Sequence, residues 1–335
     1  MGNHRVVLIG AVHEAMDGLR AIDEHPDAEL GAIVTLSPEA AAGVSGAIDL
    51  ATAARDRGIR VLYVDDVNAP ASISAIRDLD PALIAVIGWT RLIGAELLAV
   101  PRHGCIGFHA SLLPRNRGRA PVNWAILRGE TCTGNTMMLL DPGVDTGGIV
   151  DQRSTPIYLD DTCATVYERV AALGATMLRD NLAALLEGRA TSRRQDEQGA
   201  SLLPKRTPAM GVTDWTRTPT EVHNWIRAQT APYPGAFTHH EGEQVMLWSS
   251  LPPLRHHAAG TPGKVLEVDA TGVRVAAGPG SLVVTEMGQA GAHPMPATEF
   301  AAVAGLGPGT QFTAPDEETS AWALGHRPRP LGAGL

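Results

Sequence analysis

Residues 104–124 read Gly-Cys-Ile-Gly-Phe-His-Ala-Ser-Leu-Leu-Pro-Arg-Asn-Arg-Gly-Arg-Ala-Pro-Val-Asn-Trp. One helix-sized spacer later, residues 140–148 read Leu-Asp-Pro-Gly-Val-Asp-Thr-Gly-Gly. Each stretch follows a short apolar run. The first run ends at a histidine, His109, and the second opens a loop carrying a carboxylate, Asp145. Strand ends line the ligand crevice of an open α/β sheet, so the two groups are expected to face one site. An ionised carboxylate beside an imidazole favours the charged ring, which makes such a pair a candidate general acid/base unit.

The surroundings of this stretch support an α/β reading. Residues 5–10, 30–36, 59–64 and 82–89 are short β-branched runs, and residues 12–23, 48–57 and 70–79 between them are amphipathic. Strands alternating with helices predict parallel βαβ units. Residues 105–109 extend the series as a fifth strand, 134–140 as a sixth and 149–157 as an edge strand. Residues 162–188 predict a long helix, with Val166, Val170, Leu173 and Met177 on one face and Gly188 as its stop. Residues 189–207 are polar and aperiodic and read as a linker. A helix over 220–230 and a series of short strands punctuated by Gly and Pro then predict a small closed barrel. The expected division is 1–188, a Rossmann-like catalytic domain; 189–207, a linker; 208–314, a barrel domain; and 315–335, a disordered tail.

The motif residues resemble the folate-dependent formyltransferases. That family is marked by Asn-x-His-x-Ser-Leu-Leu-Pro, then Arg-Gly-x-x-Pro, then Asp-x-Gly-x-Asp-x-Gly. His109, Ser111, Leu112, Leu113, Pro114, Arg117, Gly118, Pro121, Asp141, Gly143, Asp145 and Gly147 fit, and the family Asn is replaced by Gly107. Asp214-Trp215, Ile226-Arg227-Ala228 and Ala231-Pro-Tyr-Pro-Gly-Ala-Phe237 match the carboxy-terminal half, which in the family is an OB-like barrel. Residues 243–250 and 288–291 look closest to the UDP-aminoarabinose enzymes. The resemblance spans roughly residues 5–312 and implies 10-formyltetrahydrofolate as formyl donor. It implies His109 and Asp145 as catalytic groups, with His109 donating to the developing oxyanion. Ile87, Gly88, Trp89, Ile93, Asp141, Gly143 and Val144 are implied to hold the pterin ring. Trp89 either stacks on that ring or fills the core.

Other residues leave alternatives open. Ser111 sits in no Gly-x-Ser-x-Gly elbow, so its hydroxyl is expected to fix the loop rather than attack. Arg117 and Arg119 are either solvated loop charges or ligands for an anionic substrate, since guanidinium forks suit phosphate. At Gly107 three readings compete: a substitute donor such as Asn123 or a water, a slow but sufficient enzyme, or a site turned to other one-carbon chemistry or to binding alone. No Gly-x-Gly-x-x-Gly follows the first strand, so NAD is not expected.

Composition narrows the partners. The chain has 335 residues, 44 % hydrophobic, with a formal charge of −9, suiting a soluble two-domain protein. No apolar run approaches the roughly 18 residues of a membrane helix, and the start fits neither a signal peptide nor a myristoylation motif. Cys105, Cys132 and Cys163 form no cluster, so reduced thiols and a cytoplasmic setting are expected, with no metal. His239-His240 and His256-His257 read as surface pairs. Residues 207–335 hold seven Lys/Arg against eleven Asp/Glu, which argues against tRNA as partner. The expected function is formylation of a small amine, either a nucleotide-linked amino sugar or an amino-acid-derived precursor of specialised metabolism. The alternatives are methionyl-tRNA formylation and a catalytically silent folate-binding homologue. A homodimer is left open.

Overall fold

The computed structural model describes residues 4–44, 46–253 and 259–329; His256 and His257 lie outside them. The chain forms two compact units that interleave along the sequence. The first comprises residues up to Gly118, Thr133–Thr155 and Tyr167–Leu202. The second comprises Arg119–Cys132, Pro156–Val166 and residues from Leu203 on.

The first unit is built on a seven-stranded sheet. Its strands are β1 (His4–Ile9), β2 (Ala28–Leu36), β3 (Val61–Val64), β4 (Leu83–Val86), β5 (Cys105–His109), β6 (Cys132–Leu139) and β7 (Ile149–Pro156). They lie in the order β3-β2-β1-β4-β5-β6-β7. The first five are parallel, and β6 runs antiparallel to β5, with Gly107 opposite Met138 and His109 opposite Thr136. Val6, Val7, Leu8 and Ile9 are all fully buried, because a parallel strand is covered on both faces and its apolar run need not alternate. On one face Val6, Leu8 and Ile106 pack with Leu19 and Ile22 of α1 (Glu14–Asp23) and with Met177 and Leu182. On the other, Val7, Ile9 and Ile84 pack with Ile73, Ile76 and Leu97. Each such fully buried aliphatic side chain contributes about 1.5–3 kcal/mol. These two layers hold rigid the strand ends from which the 110–118 and 141–148 loops leave.

The second unit contains a capped helix, α2 (Pro219–Arg227), and an antiparallel sheet. Thr218 and Glu221 form a reciprocal capping box at the helix start. The sheet strands are β8 (Ala236–His240), β9 (Glu243–Ser250), β10 (Val265–Asp269), β11 (Gly272–Ala277), β12 (Gly280–Gln289) and β13 (Met295–Pro296). Their order is β8-β9-β12-β11-β10, with β13 on β12. The edge strands β8 and β10 do not pair with each other. Instead, one short segment bridges near both edges, Thr313 to His239 and Gln311 to Lys264. In the core Trp215 stacks on Phe312, ring centroids 5.8 Å apart, and donates its indole N–H to Thr238 Oγ1 at 3.0 Å.

Three expectations about organisation are corrected. The boundary at 188 fails, because residues 119–132 and 156–166 belong to the second unit. The linker is no free crossing: Arg193 and Ile149 exchange backbone hydrogen bonds of 2.9 and 2.8 Å, and Gln195 is buried. The tail is ordered as far as it is described. Asp316 caps a helix over Glu317–Ala323 by accepting from Thr319 N at 2.7 Å, and Trp322 is buried. A capping carboxylate and one large apolar residue sufficed where composition read as disorder.

The junction of β6 with β7 generates a stability prediction. A Cβ on Gly134 would lie 2.2 Å from the Arg153 carbonyl oxygen and 2.6 Å from Leu112 Cδ2. Backbone cannot yield cheaply, so Gly134→Ala should destabilise the fold by about 1–3 kcal/mol. Thermal denaturation checks this, and a parental midpoint would contradict the strand packing.

Candidate active site

His109 is the last residue of β5, 7 % exposed, and its two ring nitrogens have different neighbours. Nε2 lies 2.7 Å from the Asn116 carbonyl oxygen. A carbonyl only accepts, so Nε2 carries a proton there. Nδ1 faces Asp145 Oδ2 at 3.5 Å and is the nitrogen left to exchange protons. Asp145 Oδ2 in turn accepts from the Gly118 backbone N–H at 2.8 Å. The two loops singled out in the sequence are thus joined at their polar tips.

The loop that carries these groups is stapled internally. Ser111 Oγ donates to the Arg115 carbonyl at 2.8 Å, and Thr136 Oγ1 donates to the Ser111 carbonyl at 2.7 Å. Gln152 Nε2 donates to the Leu113 carbonyl at 2.8 Å. Asn116 adopts φ +61, a left-handed conformation that asparagine tolerates better than most residues. Its carbonyl is thereby presented to His109.

Arg117 is employed differently from either expectation. It is buried, its Nε and Nη2 donate to Gln195 Oε1 at 3.1 and 2.8 Å, and its Nη1 and Nη2 donate to Glu197 at 2.9 and 2.8 Å. The hydrogen bonds with Glu197 raise the guanidinium pKa and lower that of the carboxyl. Its fork is filled from within the unit, so it is neither a solvated charge nor a waiting anion ligand. Arg119 is exposed and belongs to the second unit. Asn123 also lies in the second unit, where its amide donates to the Ala228 carbonyl at 2.6 Å. That donor is spent on backbone.

The residues expected around a pterin ring fall on two loops of the first unit. Gly88 has φ +62, and its carbonyl accepts from Ala11 N and Val12 N at 3.0 and 3.2 Å. Ile87 and Ile93 are buried core residues. Trp89 packs partly into the core, yet its indole nitrogen is buried without a partner among the described residues. Asp141 accepts from Gly143 N at 3.1 Å and from Thr146 Oγ1 at 2.6 Å, closing the second loop on itself. Leu92 and Val144 project as exposed apolar side chains from these two loops. An orphan indole donor and exposed apolar groups fit a planar heterocycle with polar edges.

The described residues contain no group of His, Cys, Asp and Glu able to hold a metal, and no helix long and apolar enough to cross a membrane. Burial pushes the Cys105 and Cys163 thiols up to about 12, whereas Cys132 is exposed. Sequence reasoning missed Gln195 and Glu197, both inside the polar stretch taken for a linker. Only the Gln-Asp-Glu-Gln run at 195–198 marked them, and nothing in it distinguishes buried from solvated polar groups.

Comparison with known proteins shows the family. Residues 12–182 match the formyl transferase family and residues 205–305 its C-terminal domain. The chain belongs to the formyl transferase family. It is a folate-dependent formyltransferase. A methionyl-tRNA formyltransferase of Geobacter sulfurreducens is 35 % identical over 315 residues, covering 93 % of this chain and 98 % of that protein. A second, from Myxococcus xanthus, is 34 % identical over 313 residues, with the same two coverages of 93 and 98 %. Among solved structures, an N-formyltransferase from Helicobacter canadensis in complex with folinic acid and dTDP-3-aminofucose aligns with a TM-score of 0.63 at 19 % identity. That alignment covers 85 % of this chain and 99 % of that one. HypX from Aquifex aeolicus in complex with tetrahydrofolic acid gives 0.62 at 19 % identity, covering 90 and 47 %. These two share the fold.

Gly107 departs from the family motif, and the Leu140 side chain lies against it. A Cβ there would lie 2.6 Å from Leu140 Cδ2 and 3.1 Å from Leu140 Cγ. Gly107→Asn should therefore overpack the site and cost about 1–3 kcal/mol, with turnover falling rather than rising. Adding Leu140→Ala should recover both. Melting curves and steady-state rates of the single and double variants check the pair, and a faster Gly107→Asn enzyme would refute the steric reading.

Proposed function

We propose that the first unit transfers a formyl group from 10-formyltetrahydrofolate to a primary amine, with Asp145 and His109 as its catalytic groups. The observation that carries this is the 3.5 Å approach of His109 Nδ1 to an Asp145 carboxylate clamped by Gly118 N–H. The bound folate would supply an activated formyl carbonyl. The chain must orient that carbonyl, take a proton from the acceptor amine as its nitrogen bonds the formyl carbon, and return a proton to N10 as the C–N10 bond breaks and tetrahydrofolate leaves. Asp145 together with Nδ1 of His109 offers a place for that proton. A charged His109 can donate through Nδ1 to oxygen that gains negative charge, because Nε2–H stays on the Asn116 carbonyl. Trp89, whose indole has no partner among the described residues, and the 141–148 loop at Val144 would hold the pterin ring.

Two acceptor classes have support. Similarity over nearly the whole chain to enzymes named for methionyl-tRNA favours an aminoacylated tRNA. The second unit adds a cleft of about 980 Å³ in which Lys205, Arg327 and Arg329 border Phe237, Trp248 and Trp322, with no carboxylate in its lining. Cations beside aromatic faces suit a single-stranded nucleic-acid end. This outweighs the overall charge count, which made tRNA the less favoured partner. A small amine, such as a nucleotide-linked amino sugar, remains the second reading. It is favoured by eleven Asp/Glu against seven Lys/Arg in residues 207–335. We read the second unit's sheet, with its edges bridged through residues 311–313, as OB-like.

His109→Ala and Asp145→Ala should each lower formyl transfer by about 10²–10³-fold, the cost of removing one oriented group at a developing charge, with melting unchanged. Near-parental rates in either would refute the assignment. The acceptor is decided by assaying formyl transfer to methionyl-tRNA and to nucleotide-linked amino sugars at several salt concentrations. A tRNA acceptor predicts kcat/KM falling steeply with salt; a small amine predicts little change. Transfer to neither class would sink both readings.

A further inference from the structure

Asp145 is held in an unfavourable backbone conformation, and one buried side chain outside the motif holds it there. Its φ is +54, in the left-handed region, which aspartate enters more readily than most residues with a Cβ but still at a cost. Gly118 N–H fixes the carboxylate, but that bond does not fix the backbone behind it. The backbone partner is Gln195. Its Nε2 donates to the Asp145 carbonyl and to the Gly147 carbonyl, both at 2.8 Å. Gln195 is 4 % exposed, so these bonds are shielded from competing water.

The amide of Gln195 is itself oriented. Its Oε1 accepts from Nε and Nη2 of Arg117. A guanidinium has donors only, so the oxygen must face Arg117 and the NH2 must face the two carbonyls. Arg117 is in turn braced by Glu197, and its backbone N–H donates to the Ser201 carbonyl at 2.9 Å. The backbone exchange between Arg193 and Ile149 anchors the segment just before Gln195. One side chain thus ties the loop of Gly118 to the loop of Asp145 from behind.

We infer that Gln195 is a positioning residue, which sets the Asp145 backbone so that its carboxylate meets both Gly118 N–H and His109 Nδ1. It touches neither reactant and acts through Asp145. The inference rests on the role proposed above for Asp145, and its test separates the two.

Gln195→Glu and Gln195→Ala make the comparison. Glutamate keeps an acceptor for Arg117, but it has no N–H for the two carbonyls and sets a second oxygen against them, so it should also lower the melting temperature. Alanine loses both partners. If the donors matter, both variants should lose kcat, by up to about 10²-fold for a displacement near 1 Å, while KM for the formylated folate stays near the parental value. Crystal structures of the variants should show the Asp145 carboxylate displaced from Gly118 N–H. Parental kcat in Gln195→Glu would overturn the inference and leave Gln195 as a prop for Arg117. So would an unmoved Asp145 in both crystals, a readout that holds whatever the turnover. A parent enzyme that formylates no amine would instead strike the proposed reaction, while the crystals still decide the positioning.

Discussion

The hydrogen bond from Gly118 N–H to Asp145 Oδ2 joins two loops that the sequence separates by 27 residues. Both of its ends sit on left-handed backbone, Gly118 at φ +100 and Asp145 at φ +54. Glycine adopts such a conformation freely; aspartate does so at a cost that neighbouring bonds must offset. The bond is charge-assisted, which makes it shorter and stronger than a neutral pair. It also leaves the carboxylate facing the imidazole rather than free to rotate. The sheet serves this contact: β5 ends at His109, β6 returns antiparallel beside it, and the two loops emerge where their tips can meet.

The parts of the fold that periodicity governs were legible. Continuous apolar runs announced buried parallel strands, and Val6 to Ile9 and Leu83 to Val86 show why, being covered on both faces. The proximity of His109 and Asp145 was legible because both follow strands whose ends face one crevice. What could not be read is burial of polar groups by tertiary pairing. Arg117, Gln195 and Glu197 look like any solvated run, and only their mutual hydrogen bonds distinguish them. The helix over Glu317–Ala323 was hidden for a similar reason. Its start depends on a cap by Asp316 and its docking on Trp322, signals too local to outweigh a Pro- and Gly-rich setting. The interleaving of the two units was invisible because contiguity in sequence says little about which unit claims a helix such as Pro121–Leu127.

Charge illustrates a different limit. A net count over residues 207–335 is acidic, yet the lining of the second unit's cleft is free of carboxylates and gathers three cations. Charges farther apart than a Debye length of about 8–10 Å are largely screened at physiological salt. A partner therefore responds to the local face, not to the sum. The same reasoning explains why Arg117, although cationic, offers nothing to an incoming anion: its field is already cancelled at contact by Glu197.

Gly107 shows how a departure from a motif can be read physically. Had the glycine left an empty pocket, the missing amide would be a simple deletion, and a water with polar partners could take its place. Leu140 instead fills the space with a branched apolar group within 2.6 Å of where a Cβ would stand. Leu140 directly precedes Asp141, whose loop closes on itself through Gly143 and Thr146 and carries Asp145 at its far end. Restoring bulk at 107 would push on that loop through Leu140. The glycine and the leucine form one packed unit, next to the pair of His109 and its clamped carboxylate.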